Sequence, residues 1–421
     1  MAKYIVTSNG PLRGEVEISG AKNAVLPILA ATVLAGDSCE INDVPNLRDV
    51  QVMCNILDSL GCKVTQEFEI NRVTVDSSTI NNSEVPYALA KLMRASFFIT
   101  GALLVKTGKA KISIPGGCAI GNRPVDLHIK GLRMLGAQIY EDSAGIDAHA
   151  EKLTGNLVYL DFPSVGATEN IMMAATMAEG TTTIENAAEE PEIVDLANFL
   201  NKMGAKIKGA GTDTIKIEGV EKLHGTRHTV IPDRIETGTF MVAAAITRGD
   251  VLIKNSVPDH VRPVIAKLIE CGAVVNDEVD GLRVRGDLHP LVATDIKTLP
   301  YPGFPTDMQA QFMALLTTVE GTSQVFETVF ENRFMHAAEL SKMGANIRVE
   351  GRKASVPGDK FTLKGAQVIS TDLRGGAALV LAALVAKGTS EILDIFHIER
   401  GYEDFVGKLR GLGAIIERVE D

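Results

Sequence analysis

Cysteine is scarce in this sequence and follows no pattern. Cys39, Cys54, Cys62, Cys118 and Cys271 are odd in number and scattered, with no CxxC pair and no Cys/His metal spacing. A disulfide framework or a zinc site is therefore not expected, and a reducing compartment fits. Excess positive charge is missing too. The net charge is -11 over 421 residues, which argues against nucleic acid, since that partner selects basic surfaces. The same acidity disfavours anionic substrates at long range, so an anionic substrate would need a local cluster of Arg and Lys. No apolar run is long enough to span a bilayer: the stretch around Ala377 to Ala386 is too short. MAKYIVTSNG lacks the apolar centre of a signal peptide. With 45% hydrophobic and 23% charged residues, the chain reads as a globular cytoplasmic protein of two or three domains, with no membrane insertion and no cofactor or metal.

What is present is a repeat. A Gly-Ala tag, or its variant Gly-Cys, recurs with glycines at 61, 136, 204, 272, 344 and 413, about seventy residues apart. A second glycine lies upstream each time, at 36, 108, 180, 249, 321 and 388, where it ends an apolar helix such as ENIMMAATMAEG. Each unit reads as helix, glycine, strand, amphipathic helix, GA turn and strands. The first helix is apolar on nearly all sides and should be buried; the second, such as PEIVDLANFLNKMG, should lie nearer solvent. A boundary near residues 228–238 suggests two domains of three units, with a cleft between them.

The starts of the buried helices break a rule. A helix N-terminus favours Ser, Thr, Asp, Asn or an anion. Ser164, Asp307 and Asp372 obey this, whereas Lys22, Arg94, Arg234 and Arg374 place a cation there at a cost of roughly 0.3–1 kcal/mol each. Local rules are broken where function overrides folding, and a helix start with a cation is an anion site. For Asp307 and Asp372, N-capping and catalysis remain equally open. One unit also carries an insert, IPGGCAIGNRP, with a thiol among turn residues. Gly116 and Gly121 have phosphate-loop spacing, but Asn-Arg follows in place of Lys-Ser/Thr. The residues alone thus give an anion-binding, two-domain repeat enzyme with one thiol in a turn-rich insert.

The stretches SGAKNAVLP, MRAS, PGGCAIGNRPVDLH, PEIVD, PDRIETGTF, FPTDMQAQ, ETVFENRFMH, STDLR and HIERGYE occur in this order. From about Gly20 to the C-terminus, they resemble the UDP-N-acetylglucosamine enolpyruvyl transferase family. The resemblance implies an α/β fold of two inside-out barrel (prism) domains, each of three repeats with buried helices and outer sheets. Residues 22–231 form one domain, residues 1–21 and 232–421 the other, and the active site lies in the cleft. It implies transfer of the enolpyruvyl group of phosphoenolpyruvate to the 3′-hydroxyl of UDP-N-acetylglucosamine, with release of phosphate, as the first committed step of peptidoglycan synthesis. Addition requires a proton donor, a base and cations around the anionic donor.

By the same resemblance, Cys118 is the loop cysteine that donates the proton, forms a covalent phosphoenolpyruvate adduct and is alkylated by fosfomycin. Asp307 is the base beside the sugar hydroxyl. Lys22 and Asn23 contact phosphoenolpyruvate, and Arg94, Arg123 and Arg400 form its cationic cluster. Arg333, Asp372 and Arg374 are further cleft residues. Arg123, Pro124, Val125, Asp126, Leu127 and Val329 match contacts to the nucleotide sugar. Phe162 stands where some members have Lys, so that contact does not carry over, while Ser164 and Gly166 in the same loop still match. A thiol with a pKa of about 8.5 is mostly protonated at pH 7, and Arg123 would favour its thiolate. The rival readings are a shikimate-type enolpyruvyl transferase, which lacks the loop cysteine, and an inactive nucleotide-sugar-binding homologue.

Overall fold

The computed structural model describes residues 2–420 apart from 115–119, 122–124, 144 and 360–362. Six times over, a buried helix leads through a turn into an outer strand, a second helix and further strands. The buried helices are α1 (Lys22–Ala31), α2 (Ile99–Thr107), α3 (Val165–Ala175), α4 (Arg234–Ile246), α5 (Gln309–Leu316) and α6 (Leu373–Ala383). Every residue of α5, and every residue from Ile235 to Ile246 of α4, is buried. A helix that is apolar all round has no face to offer water, so the sheets lie outside and the helices inside. The second helices are amphipathic: in Pro191–Lys202, Ile193, Leu196, Phe199 and Leu200 are buried while Asn201 and Lys202 are exposed.

The glycine tags are the joints of the repeat. Gly61, Gly136, Gly204, Gly272, Gly344 and Gly413 all have φ between 93° and 104°, a region that penalises any Cβ. Of the upstream glycines, Gly36, Gly108, Gly180, Gly321 and Gly388 are left-handed as expected of helix ends. Unit four differs. There Arg248 takes the left-handed turn at φ 55°, and Gly249 is needed because a Cβ would lie 2.2 Å from the Leu12 carbonyl oxygen.

In five units the outer strand pairs antiparallel with a strand of its own unit, and in the sixth the N-terminal strand takes that place; on its other side it pairs parallel with a further segment, in unit two only through the single bridge Glu84–Lys111. Leu157–Tyr159 lies parallel to Thr181–Glu185, Arg13–Glu17 to Asp250–Lys254, and Ile296–Lys297 to Gly321–Phe326. Arg227–Thr229 returns to pair with Ser38–Asn42, closing the first three units on themselves. The N-terminal strand Lys3–Thr7 sits between Thr389–Leu393 and Ile415–Val419, antiparallel to both, and completes the sixth unit. Two compact units result: residues 20–117 with 123–231, and residues 1–19 with 232–421, which Ile120 and Gly121 join. Each has its own apolar core.

Apart from the segment at residues 120–121, the chain changes unit at Ser19–Gly20 and at Ile231–Pro232, and the first of these is fastened by a buried carboxyl. Asp233 N donates to the Ser19 carbonyl at 2.9 Å. Ser19 N donates to Glu236 Oε2 at 2.8 Å, and Lys408 Nζ reaches Glu236 Oε1 at 2.6 Å and Ser19 Oγ at 2.7 Å. Burial nevertheless pushes the Glu236 carboxyl up to about 7, with Lys408 opposing and Asp233 adding to the rise. The folded chain therefore holds a proton here that the unfolded chain releases near 4.5. This contribution to stability is fully present below 4.5 and is lost as pH rises to about 7, at up to about 1.4 kcal/mol per pH unit. Glu236→Gln cannot titrate. The stability difference between wild type and this variant, from urea midpoints across that window, is expected to shrink as pH rises. A difference independent of pH would rule out the titration.

Candidate active site

In the unit formed by residues 1–19 and 232–421, the centre of charge is Asp307. It lies in a single turn of 3-10 helix, Thr306–Met308, that leads into α5. It caps nothing: Met308 occupies the N-cap of α5, and no side chain bonds there. The capping alternative fails because both carboxylate oxygens are engaged elsewhere. Arg333 Nη2 donates to Oδ1 at 2.8 Å, while Arg374 Nε and Nη2 donate to Oδ2 at 3.1 and 3.0 Å. The two arginine side chains are 5% and 3% exposed, and that of Asp307 is 28% exposed. Burial opposes ionisation of Asp307, but the guanidiniums of Arg374 and Arg333 outweigh it and hold the carboxyl far below the usual range.

Arg374 Nη1 is buried and has no hydrogen-bond partner among the described residues. The Arg374 guanidinium lies 5.4 Å over the ring of Tyr402, whose hydroxyl meets Thr239 Oγ1 at 2.9 Å and Gln311 Nε2 at 3.3 Å. Charge and a free donor together suit an anion.

Asp372 does cap its helix. Its Oδ1 accepts from Arg374 N at 2.9 Å and from Gly375 N at 3.0 Å at the start of α6. Neighbouring His336 is neutral: burial, reinforced by Arg333 and opposed by Asp372, pushes it down to about 4. Arg400 follows the short helix Phe396–Glu399 and is half-buried. Val329 is held through its backbone, its N donating to Glu327 Oε1 at 2.9 Å.

In the other unit, Lys22 opens α1 with no capping side chain in front of it. Its Nζ lies 3.5 Å from Asp49 Oδ2, a partner that sequence pattern missed because it sits on the next helix, Arg48–Ser59. Asn23 follows Lys22, half-buried. Arg94 opens the uncapped turn Arg94–Phe98 ahead of α2. The other two cationic starts are a correction. Arg234 and Arg374 stand one and two residues after an aspartate that caps the helix, Asp233 and Asp372, so the local rule is kept there by the cap.

Ser164 caps α3, its Oγ accepting from Ala167 N at 3.3 Å. Gly166 lies so close to Phe98 and His128 that a Cβ would approach their rings to 2.8 and 3.1 Å. Val125, Asp126 and Leu127 form the start of the helix Asp126–Met134. Behind them is a buried network found only in the structure: His128 Nδ1 meets Asn170 Nδ2 at 3.1 Å, and Asn170 Oδ1 accepts from Gly101 N at 2.6 Å. Phe162 is 42% exposed. Cys118, Arg123 and Pro124 lie outside the described residues.

Residues 6–409 match the family model of EPSP synthase (3-phosphoshikimate 1-carboxyvinyltransferase). The fold is similar to that of the enolpyruvyl transferase NikO from Streptomyces tendae, with a TM-score of 0.90 and 26% identity over 99% of this chain and 98% of that one. An EPSP synthase from Acinetobacter baumannii shares the fold at a TM-score of 0.77 and 18% identity, with both chains fully covered. Fold and family model thus define a carboxyvinyl, or enolpyruvyl, transferase of the α/β class.

Curated relatives narrow this class. The chain is 60% identical over 416 residues to UDP-N-acetylglucosamine 1-carboxyvinyltransferase 1 of Caldanaerobacter subterraneus subsp. tengcongensis, covering 99% of each chain. It is 59% identical over 412 residues to the UDP-N-acetylglucosamine 1-carboxyvinyltransferase of Finegoldia magna, covering 97% of each, and 53% identical over the full length to UDP-N-acetylglucosamine 1-carboxyvinyltransferase 1 of Staphylococcus aureus. The chain belongs to the UDP-N-acetylglucosamine 1-carboxyvinyltransferase family.

Proposed function

We propose that the enzyme moves the enolpyruvyl group of phosphoenolpyruvate to the 3′-hydroxyl of UDP-N-acetylglucosamine and releases phosphate, the first committed step of peptidoglycan synthesis, in the cytoplasm. The observation that carries the reading is the Asp307 carboxylate gripped by buried Arg333 and Arg374, in a chain whose full-length relatives are named for this transfer. In the addition step, the sugar oxygen forms a bond to the central enol carbon as its proton passes to Asp307. The Cys118 thiol gives a proton to the methylene carbon. Elimination removes a proton from the new methyl group and expels phosphate. Cys118 also forms the covalent adduct with phosphoenolpyruvate.

Lys22, Asn23, Arg94, Arg123 and Arg400 hold the donor's phosphate and carboxylate, with Asp372, Arg333 and Arg374 completing the site. Pro124 to Leu127, Ser164, Gly166 and Val329 hold the nucleotide sugar. The arginines keep Asp307 ionised, which makes it a good acceptor for the hydroxyl and a weak base. An anionic donor that drew the guanidiniums toward itself would restore its basicity. Residues 22–231 and residues 1–21 with 232–421, taken as the two domains, each contribute some of these groups.

Phosphate release from phosphoenolpyruvate tests the reading. It is expected to require UDP-N-acetylglucosamine, with shikimate 3-phosphate giving none. Release with shikimate 3-phosphate would favour the rival, and tight sugar-nucleotide binding without turnover would favour an inactive homologue.

A further inference from the structure

The repeat has a second rule, visible only in the structure. Six residues after the helix-ending glycine, or seven in unit one, the outer strand is followed directly by Asp43, Asn186, Asn255 or Asp394, each left-handed at φ 53° to 57°. Two of these make the same bond to the residue after the parallel strand: Asn186 Nδ2 donates to the Leu160 carbonyl at 2.6 Å, and Asn255 Nδ2 to the Ile18 carbonyl at 2.9 Å. Two units break the rule. Unit two has Ile114, which leads into the insert carrying Cys118. Unit five has Glu327, which is 1% exposed and is not left-handed. Such departures mark places where function overrides the local pattern.

At Glu327 the polarity of the joint is reversed. The position after the parallel strand is Thr298, and its hydroxyl donates to Glu327 Oε1 at 2.9 Å. The same oxygen accepts from Val329 N at 2.9 Å and from Phe330 N at 3.2 Å. Oε2 accepts from the Thr306 hydroxyl at 2.9 Å. Thr306 Oγ1 in turn accepts from Arg333 Nη1 at 3.1 Å, and Arg333 Nη2 donates to Asp307 at 2.8 Å. One buried carboxylate therefore fixes the backbone at Val329 with one oxygen and, through a hydroxyl and a guanidinium, the carboxylate of Asp307 with the other.

We propose that Glu327 is a positioning residue for the reaction, acting on Asp307 through the Thr306 hydroxyl and Arg333, and on the Val329 segment through its backbone. The inference rests on the assignment of Asp307 made above. Glu327 supplies four acceptor sites where a neutral Asx residue would supply fewer and would have to donate. The direction of each bond in the relay follows: Thr306 must give its only proton to Glu327, which leaves its lone pair for Arg333 and fixes that guanidinium in the plane that meets Asp307.

The test uses Thr306→Val, Thr306→Ser, Glu327→Gln and Asp307→Asn in the full-length enzyme, with kcat and KM for UDP-N-acetylglucosamine measured for each. Valine keeps the volume and loses the hydroxyl; serine does the reverse. Glutamine keeps the oxygen that holds Val329 and turns a donor toward Thr306. Thr306→Val and Glu327→Gln are expected to lower kcat by about 10- to 100-fold, with KM within about twofold of wild type. Thr306→Ser is expected to restore kcat. A packing role would give the opposite order, with serine worse than valine, and that result overturns the proposal. So does wild-type kcat in Thr306→Val beside an inactive Asp307→Asn, which leaves the Asp307 assignment standing. Full activity in Asp307→Asn would remove that assignment and the proposal with it.

Discussion

Asparagine in place of Asp307 is expected to lower turnover about 10³-fold, within the range for loss of a positioned acid or base, and to weaken the fold as well. The structure gives a reason for each effect. The carboxylate is the only anionic partner hydrogen-bonded to both Arg333 and Arg374 among the described residues, and both guanidiniums are buried. The amide would present a donor to one of them and remove the charge to which both guanidiniums are bonded. Breaking a buried pair costs about 3–5 kcal/mol, and the lower end applies because Asp307 is 28% exposed. The denaturant midpoint should fall with an unchanged slope. Near-wild-type turnover would remove Asp307 from the chemistry. A fall in turnover with no change in midpoint would show that the arginines do not depend on it in the resting enzyme.

The second large effect is at Cys118. Alanine there is expected to abolish phosphate release, because no thiol remains to protonate the methylene carbon or to form the adduct. Aspartate, which can also carry a proton, is expected to sustain turnover while escaping alkylation by fosfomycin. Full phosphate release from Cys118→Ala would sink the assignment, and retained fosfomycin sensitivity in Cys118→Asp would count against the alkylation site.

Much of the fold could be read from the sequence because its signals are local. A left-handed glycine after an apolar helix and a glycine turn before a strand are short-range demands of the backbone; the first recurs in five units and the second in all six. Apolar runs without a polar face announced the buried helices. Where the reading failed, another element supplied the reason. Gly249 looked like a helix end, but the turn falls on Arg248, and the glycine is required by the Leu12 carbonyl pressed against it. Arg234 looked like an uncapped cation because the cap, Asp233, stands one residue earlier.

The site was less legible. Asp307 resembled an N-cap in sequence, yet its bonds go to Arg333 and to Arg374, 67 residues away. The pairing of Lys22 with Asp49, of His128 with Asn170, and the whole Glu327 network are products of packing. One trace of Glu327 was available: it breaks an Asx position that four other units keep, but that position means nothing until the strand ends are known. Composition spoke to the site only indirectly, by requiring that a chain of net charge -11 gather its cations locally for any anionic substrate.

The central claim concerns the bond made, so the most direct measurement is the structure of the product. Enzyme incubated with phosphoenolpyruvate and UDP-N-acetylglucosamine should yield, for each phosphate released, one sugar nucleotide carrying an enolpyruvyl ether at the 3′-oxygen, as located by NMR. An ether at another oxygen, or phosphate released with the sugar nucleotide unchanged, would contradict the account.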